Sequence, residues 1–406
     1  MFKKINSCRI CNSKKLQMII NLGDQPLANA LLKRGFRAEK KIPLKLVMCL
    51  TCKVLQLEHT VNPDILFKKY LWVTGTSEKA AEYRKFFFNR IEKLTFKKSF
   101  ICEVASNDGF FLEIFKKNYE ILGIDPAKNI AKIAKKKGIN TIVDFFNYSL
   151  AKKIVIQKKK HADIVICRNV IPHIENIDQV MRGLEHLLSK RGTGIIEFHN
   201  ASNILSKLHY DYIYHEHIFY FTLTSMVSTL QRYGLYVYDY FLSPISGGSY
   251  VVMFKKVKCK KSLKLKKQLK MERLLKKNNL SKWKSLHKMC QDHKINFLKK
   301  LINIFENNKT IGYGASARSS TLLNYLGIDS KIVHKIYDKN ILKKNMYAPG
   351  SHIKIDVPNK KEILSSKVII LLAWNFAREI VIFLKKIKYK GKIILPLPKI
   401  KIFELK

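Results

Sequence analysis

The sequence predicts an α/β protein of three parts: a small cysteine-rich lobe and two further domains, each built on a parallel β-sheet. Two C-x-x-C pairs lie near the start of the 406 residues. From Ser99 onward, apolar strands alternate with helical stretches, a pattern typical of parallel sheets. A second strand, glycine-rich turn and helix begin at Thr310. We therefore expect three segments, 1–70, 71–255 and 256–406.

The length and the hydropathy pattern limit the possible classes of protein. A chain of 406 residues is too long for a single hydrophobic core. It contains no run of about 18 apolar residues, and its start, MFKKINSC, has no apolar signal core. We therefore expect a soluble, cytoplasmic, monomeric protein without a membrane partner.

The formal net charge of +47 favours nucleic-acid binding at first sight. Only 12 of the 77 basic residues are arginine, however, and the lysines are spread over every segment. This pattern is typical of a compositional bias rather than of an arginine-rich surface that contacts bases. We expect no nucleic-acid partner, although a positive field would help to recruit a phosphate-bearing substrate.

The first lobe contains Cys8-x-x-Cys11 and, after 37 intervening residues, Cys49-x-x-Cys52. Two such pairs supply the four thiolates of a tetrahedral structural zinc site. The spacing is longer than in the usual ribbon and allows an inserted hairpin around NLGDQPLANALL. Two disulfides are disfavoured in a reducing cytoplasm, and a redox C-x-x-C would need only one pair. Because sulfur fills all four positions, we expect Zn²⁺ to have a folding role without chemistry.

An aromatic, hydroxyl-rich turn at 70–77, YLWVTGTS, follows this lobe and precedes a helical stretch. Thr76 and Ser77 are candidate N-caps of that helix. Tyr70 or Trp72 could stack on a ligand base or pin the lobe to its neighbour, and the sequence does not separate these two roles.

The central domain begins with strand FICEV, a tight turn and a predicted helix. In nucleotide-binding folds such a turn brings backbone N–H groups and a helix N-terminus to the ligand. This turn has no G-x-G-x-x-G, and its acidic, glycine-poor composition suits a cofactor with hydroxyls and cationic centres. The next strand ends at Asp125, where a carboxylate takes up a ribose diol. These features fit S-adenosylmethionine. The candidate cofactor residues are Glu103, Ser106, Asn107, Asp108, Gly109, Asp125 and Asn169.

Two later strands also end in polar residues. ADIVICRN is followed by His173, and GTGIIEFHN ends at His199 and Asn200. Because ligand groups belong at the carboxyl ends of parallel strands, we expect these side chains at the same pocket.

The segment Tyr210–Tyr220, YDYIYHEHIFY, places Tyr214, His215, Glu216 and His217 in consecutive positions. Each group, if buried without a partner, costs roughly 1–3 kcal/mol. Histidine titrates nearest neutral pH, and a neighbouring Glu or Tyr can orient the imidazole. The functional hypothesis is a general-base site, and the alternative is an edge strand with two solvated histidines.

The last domain follows a lysine-rich helical connection at about 255–300. It opens with Gly312, Gly314 and Ala317 in G-x-G-x-x-A spacing, and its next strand ends at Asp338. Alone, this fingerprint predicts a dinucleotide domain, and the runner-up hypothesis is therefore an NAD(P)-dependent nucleotide-sugar oxidoreductase. The net positive charge motivates a third hypothesis, that the chain is a zinc-ribbon RNA-binding or RNA-modifying protein.

In this order, the motifs resemble those of the nucleotide-sugar C-methyltransferases. These three-part enzymes transfer a methyl group from S-adenosylmethionine to a carbon beside the keto group of an activated 4-keto deoxysugar. The matching segments are the paired cysteines, Tyr70 to Ser77, EVASNDGFFL, RNVIPHI, IIEFHN, YIYHEHIFYF, SPISGGSY, IGYGASARSSTLLNYLGI and MYAPGSHIKI. The sequence departs from the family in ASNDG, usually GSNDG, and in GASAR, usually GAPAK, which leaves the substrate open.

The resemblance implies a class I methyltransferase Rossmann-like domain, a second Rossmann-like domain that holds the nucleotide diphosphate of the sugar, and a role in deoxysugar or polysaccharide biosynthesis. It implies that Tyr214, Glu216 and His217 form the catalytic group, with His217 the leading candidate base and His173 a supporting residue. For removal of a proton beside a ketone, Glu216 can hold the imidazole, and Tyr214 or His173 can donate to the developing enolate oxygen. The candidate substrate-binding residues are Tyr70, His199, Asn200, Gly314, Ser316, Arg318, Tyr347 and His352.

Overall fold

A computed structural model describes residues 2–35, 39–68, 73–76, 78–306 and 309–405. Tyr70, Trp72 and Ser77, and the side chain of Thr76, lie outside the described part, so the predictions for them stay open. Among the described residues, no helix combines the length and the apolar character needed to cross a bilayer.

The cysteine-rich lobe is an antiparallel β structure. Its elements are β1 (Phe2–Lys4), β2 (Leu16–Gln25), β3 (Ile42–Cys49), β4 (Leu55–Leu57), β5 (His59–Val61) and α1 (Pro63–Phe67). Strands β2 and β3 form the long hairpin that the spacing of the cysteine pairs allows, and β4 pairs with β3. Strand β3 ends at Cys49, so the second cysteine pair lies where the chain turns from β3 into β4.

The central domain is built on a seven-stranded sheet. Its elements are α2 (Glu78–Glu92), β6 (Phe100–Val104), β7 (Glu120–Ile124), α3 (Lys128–Lys136), β8 (Thr141–Ile142), α4 (Tyr148–Lys158), β9 (Ala162–Arg168), α5 (Ile177–Leu187), β10 (Leu188–His199), α6 (Ser202–Ser206), β11 (Phe219–Tyr220), α7 (Leu223–Arg232), β12 (Tyr236–Ser243) and β13 (Ser249–Lys255). The strand order is β12-β13-β10-β9-β6-β7-β8. Strands β10, β9, β6, β7 and β8 are parallel, and the chain reverses direction across the sheet between β6 and β9. Such a switch point opens a crevice at the carboxyl ends of the strands.

The structure differs from the sequence prediction directly after β6. The turn leads into a single 3-10 turn, Glu113–Phe115, where we expected an α-helix. Phe111, Leu112 and Phe115 are buried against α2, and the chain must return to begin β7 at Glu120. This short, strongly apolar segment packs its side chains inward before a longer helix can form.

Strand β11, although it belongs to the middle of the chain, does not join the seven-stranded sheet. It pairs antiparallel with β4, which gives a four-stranded sheet of order β11-β4-β3-β2. The predicted general-base segment is thus a 3-10 turn, Tyr210–Tyr212, followed by a loop and an edge strand of the cysteine-rich lobe's sheet.

The C-terminal part begins with two helices and continues as a second parallel sheet. Its elements are α8 (Leu263–Leu274), α9 (Leu280–Glu306), β14 (Thr310–Tyr313), α10 (Ala317–Leu326), β15 (Lys335–Tyr337), β16 (Lys354–Asp356), α11 (Lys360–Ser365), β17 (Val368–Leu371), α12 (Ala377–Lys386), β18 (Lys392–Leu395) and β19 (Lys401–Phe403). The strand order is β16-β15-β14-β17-β18-β19. Here the switch point lies between β14 and β17, so the turn after β14 faces the crevice.

Candidate active site

One cavity of about 1310 Å³ lies where the three parts of the chain meet. The cysteine-rich lobe, the turns after β6, β7 and β9, the YHEH segment and the N-terminus of α10 all contribute to its wall. Eleven predicted site residues line it: His173, Tyr214, Glu216, His217, Glu103, Ser106, Asn107, Asp125, Asn169, Ser316 and Arg318.

His217 lies in the wall of this cavity with both ring nitrogens engaged. Its Nδ1 is 3.2 Å from the carbonyl oxygen of Tyr212, and its Nε2 is 2.8 Å from the hydroxyl of Tyr214. Because a carbonyl only accepts, Nδ1 must carry the proton and Nε2 must accept from Tyr214. The backbone therefore sets the tautomer whose Nε2 can take up a proton.

Burial keeps this imidazole neutral. It lowers the pKa of His217 well below its ordinary value, and nearby His173 lowers it further. Burial likewise lowers the pKa of His173, to about 4. The two rings meet edge to face at 4.7 Å, and His173 Nδ1 donates to the carbonyl oxygen of Glu216 at 2.8 Å. Both imidazoles are thus free bases at neutral pH, as proton acceptors must be.

The structure does not place the Glu216 carboxylate on the His217 imidazole, contrary to the prediction. Both carboxylate oxygens accept from Nδ2 of Asn29, at 2.7 and 2.8 Å. The backbone turns here, since the His217 N–H donates to the Tyr214 carbonyl oxygen at 2.9 Å, and the side chains of Glu216 and His217 therefore have different partners. Tyr212 and Tyr214 orient His217, and Asn29, which no sequence signal marked, holds Glu216.

The turn after β6 forms a polar cradle at the cavity. Ala105 and Asn107 adopt positive φ angles of 55° and 52°. The Asp125 carboxylate accepts from the backbone N–H of Asn107 at 2.8 Å, which holds the turn beside the end of β7. Within the described residues, three buried oxygens here have no hydrogen-bond partner: Glu103 Oε2, Ser106 Oγ and Asn169 Oδ1. Such groups suit a hydroxyl-bearing, cationic ligand, so the cradle fits S-adenosylmethionine.

The buried Glu103 carboxyl holds its proton more tightly than an exposed one does. Burial raises the pKa of its carboxyl to about 8, although Arg168 opposes the rise. A cationic group bound beside it would favour the carboxylate.

Asp108 and Gly109, two further predicted cofactor residues, do not line the cavity. Asp108 Oδ2 pairs with Lys137 Nζ at 2.7 Å, and a Cβ at Gly109 would lie 2.3 Å from Ile139. Both residues therefore hold the turn against α3 and the following segment. Asp108 and Gly109 follow the cradle residues directly in sequence, but they do not line the cavity because the chain turns away from it after Asn107.

A buried ion pair links the YHEH segment to the C-terminal domain. Arg318 donates to both oxygens of Asp211, from Nε at 3.0 Å and from Nη2 at 2.9 Å. Trp374 Nε1 donates to the same carboxylate at 2.7 Å. Arg318 Nη1 is buried without a partner among the described residues, and Arg318 lines the cavity. No sequence signal marks Asp211, the residue that orients this guanidinium.

Removing the negative charge of Asp211 from this ion pair should destabilise the protein. Asp211→Asn leaves the buried Arg318 cation without its anion, and breaking such a pair costs about 3–5 kcal/mol. Asp178→Asn is the matched control, since it breaks an exposed Asp178–Arg182 pair worth at most about 1 kcal/mol. Denaturant unfolding of both variants measures the difference, and an equal effect would contradict the structural role of Asp211.

Five predicted substrate residues do not line the cavity: His199, Asn200, Gly314, Tyr347 and His352. The His199 ring stacks on the ring of Tyr212, a cavity residue, with 3.8 Å between the ring centroids. A Cβ at Gly314 would lie 2.2 Å from the Ala373 side chain, so this glycine allows close packing of the two turns. Tyr347 and His352 contact the cysteine-rich lobe instead, through Leu32 and Glu39 respectively.

The four predicted zinc ligands come together. The Sγ atoms of Cys8, Cys11, Cys49 and Cys52 all lie within 4.8 Å of one another. Two pairs, Cys8–Cys52 and Cys11–Cys49, are separated by 3.6 and 3.5 Å. A tetrahedral zinc with Zn–S bonds of about 2.3 Å requires sulfur separations near these values. The cluster therefore fits a structural Zn²⁺ held by all four cysteines.

Three protein-family models match the chain in succession. They are a putative zinc binding domain at residues 8–67, a methyltransferase domain at 76–240 and a C-methyltransferase C-terminal domain at 244–398. A zinc-binding and a methyltransferase domain are thus both present, in agreement with the predicted cofactors, structural zinc and S-adenosylmethionine.

The chain is similar over nearly its whole length to a curated protein, C-methyltransferase NovU of Streptomyces niveus. The identity is 28% over 405 residues, which cover 98% of this chain and 96% of the relative. Among solved structures, magnesium protoporphyrin IX methyltransferase of Synechocystis PCC 6803 with bound SAM matches 43% of this chain and 81% of that chain, at 12% identity and a TM-score of 0.32. The PH0226 protein of Pyrococcus horikoshii OT3 matches 48% of this chain and 96% of that chain, at 15% identity and a TM-score of 0.35.

Proposed function

Since this chain is an S-adenosylmethionine-dependent C-methyltransferase with an N-terminal zinc-binding domain, we propose that it methylates a nucleotide-activated 4-keto deoxysugar at a carbon beside the ketone. The observation that carries this proposal is the shared cavity. It joins the cradle of the methyltransferase domain to a buried base and to the N-terminus of α10. A metabolite with a reactive ketone at one end and a diphosphate at the other suits that arrangement.

His217 is the proposed base. Its neutral Nε2 removes a proton from the carbon beside the ketone, and the electron pair of that C–H bond passes into an enolate. S-adenosylmethionine supplies an electrophilic methyl carbon that the enolate carbon attacks, with S-adenosylhomocysteine as the leaving group. The Tyr214 hydroxyl donates a hydrogen bond to His217 Nε2 at 2.8 Å. This hydroxyl must therefore turn away before Nε2 can accept a proton from the substrate.

The enolate oxygen needs a hydrogen-bond donor, because charge develops on it as the proton leaves. Tyr214 is the proposed donor, since the movement that frees His217 Nε2 also releases its O–H. His173 is the proposed supporting residue, since the centroid of its ring lies 4.7 Å from that of the His217 ring.

The diphosphate is proposed to lie at the turn between β14 and α10. The helix begins with a Ser316 capping box, and its N-terminus faces the cavity beside Arg318. Lys343, a cavity residue that sequence analysis missed, extends its Nζ to 2.6 Å from the carbonyl oxygen of Ala315. A helix N-terminus flanked by two cations favours phosphate binding.

The same turn argues against the oxidoreductase alternative. Asp338, in the position that takes up a ribose in dinucleotide domains, already accepts from the backbone N–H of Ala315 at 2.8 Å and from Lys343 at 3.2 Å. The Lys343 cation on this carboxylate would compete with a ribose diol for it. We expect no NADH binding.

The proposed function is tested by incubating the protein with S-adenosylmethionine and a panel of nucleotide-activated 4-keto deoxysugars. We expect one sugar to gain the mass of one methylene unit as S-adenosylhomocysteine forms in equal amount. Calorimetry should show that S-adenosylhomocysteine and a nucleoside diphosphate bind together. NADH binding with no methylated sugar would contradict the proposal and favour the oxidoreductase, and tight, salt-sensitive RNA binding would favour the RNA-binding protein.

A further inference from the structure

Several residues of the cysteine-rich lobe line the cavity, and one of them, Asn29, forms hydrogen bonds with Glu216. Asn29, in the loop that follows β2, lines the cavity and donates from Nδ2 to both oxygens of Glu216, at 2.7 and 2.8 Å. No other side chain among the described residues is recorded in a hydrogen bond with this carboxylate. Glu216 is only 3% exposed, so this amide is its principal substitute for water.

We propose that Asn29 is a positioning residue that favours the ionised form of Glu216 and holds its carboxylate at the cavity, which gives the cysteine-rich lobe a part in the active site. This inference rests on the proposed function, in which the sugar occupies the cavity that Glu216 lines. It assigns the N-terminal lobe a second role besides folding around a metal.

The physical reason is the cost of burying a charge. A carboxylate removed from water loses its hydration, and the protein must replace it with donors or the group takes up a proton. Burial raises the pKa of Glu216 to about 7, although the hydrogen bond from Asn29 opposes the rise. An amide that contacts both oxygens favours the ionised form, since a protonated carboxyl has only one unprotonated oxygen.

The neighbouring titratable groups do not replace this donor. From its own segment, Tyr214 and His217 bond to each other, and from the turn after β9, His173 donates to the Glu216 carbonyl instead of to its carboxylate. From the cysteine-rich lobe, Lys33 and Asp64 line the same cavity, but among the described residues neither forms a hydrogen bond or ion pair with the carboxylate. Removing Asn29 should therefore leave the carboxylate without any donor of comparable strength.

The loop that carries Asn29 is held from the C-terminal domain. Leu32 and Tyr347 exchange two backbone hydrogen bonds, of 3.0 and 2.8 Å. Glu39, farther along the loop, accepts from His352 Nε2 at 2.7 Å. Tyr347 and His352, predicted to bind substrate, thus clamp the loop that positions Glu216. This explains how residues outside the cavity can still belong to the site.

The test is a direct titration of Glu216. In protein labelled with ¹³C at the glutamate carboxyl, the Glu216 signal is assigned by its absence in Glu216→Gln. We expect Asn29→Leu to raise the pKa of Glu216 by about one unit. Asn29→Asp should raise it further, since two adjacent carboxylates share a proton. The acid limb of the pH–rate profile for methyl transfer should move by the same amount, so that activity recovers at high pH.

Asn21→Leu is the matched control, because it changes an exposed asparagine of β2 that lies away from the cavity. Its zinc content, Glu216 pKa and pH profile should equal those of the unmodified protein. An unchanged Glu216 pKa in Asn29→Leu, or a loss of activity that is equal at every pH, would overturn the inference. The titration needs no substrate and is therefore independent of the sugar assay. If only the sugar assay fails, the proposed substrate is rejected and the role of Asn29 is unaffected.

Discussion

Replacing His217 with asparagine is expected to abolish exchange of solvent deuterium into the sugar carbon beside the ketone, even without S-adenosylmethionine. Asparagine can keep the donation to the Tyr212 carbonyl but offers no basic nitrogen in place of Nε2. General-base catalysis is typically worth 10²–10⁴-fold, so we expect exchange to fall by at least about 100-fold. Proton NMR of the sugar in D₂O measures this rate apart from methyl transfer.

The neighbouring histidine provides the internal comparison. His215 belongs to the same motif, but its Nε2 contacts the carbonyl oxygen of Ile42 in the cysteine-rich lobe at 3.1 Å, and it does not line the cavity. His215→Asn should therefore reduce stability while the folded fraction keeps its exchange rate. His161→Asn, at an exposed position, should change neither. Unchanged exchange in His217→Asn would refute the assignment of the base.

Loss of the zinc site should have the largest effect on stability. Cys49→Ser removes one of the four thiolates at the junction of β3 and β4, and structural zinc contributes roughly 10–16 kcal/mol to folding in small domains. We expect the zinc content to fall well below one ion per chain, and the free energy of unfolding to fall by about 5 kcal/mol or more. Elemental analysis and denaturant unfolding measure the two quantities.

The proposed catalytic segment, YHEH, should lose its ordered structure when the metal is absent. Strand β4 pairs with β3 on one side and with β11 on the other, and β11 begins two residues after His217. Deuterium exchange should therefore disappear in Cys49→Ser. Cys259→Ser, which changes a cysteine outside the cluster, is the control and should keep both zinc and activity. A zinc-free protein with normal exchange would contradict this coupling.

The sequence by itself determined the fold class and the metal site. The C-x-x-C pairs predict four convergent sulfurs because each short turn directs two thiolates to one point, and the structure brings all four together. The alternation of apolar strands with helices predicts parallel sheets because such strands must be covered on both faces. Strand ends such as Asp125 and Asn169 could be assigned to one crevice, because the carboxyl ends of parallel strands share an edge.

Tertiary structure alone decided which side chains touch. Glu216 and His217 are adjacent in sequence, yet one contacts Asn29, 187 positions away, and the other contacts Tyr212 and Tyr214. Likewise Tyr347 and His352, which local pattern assigned to the substrate, contact the cysteine-rich lobe. Periodicity and motif spacing describe the direction of a side chain only within its own helix or strand. Contacts between loops of different domains depend on how those domains pack, and no local pattern encodes that packing.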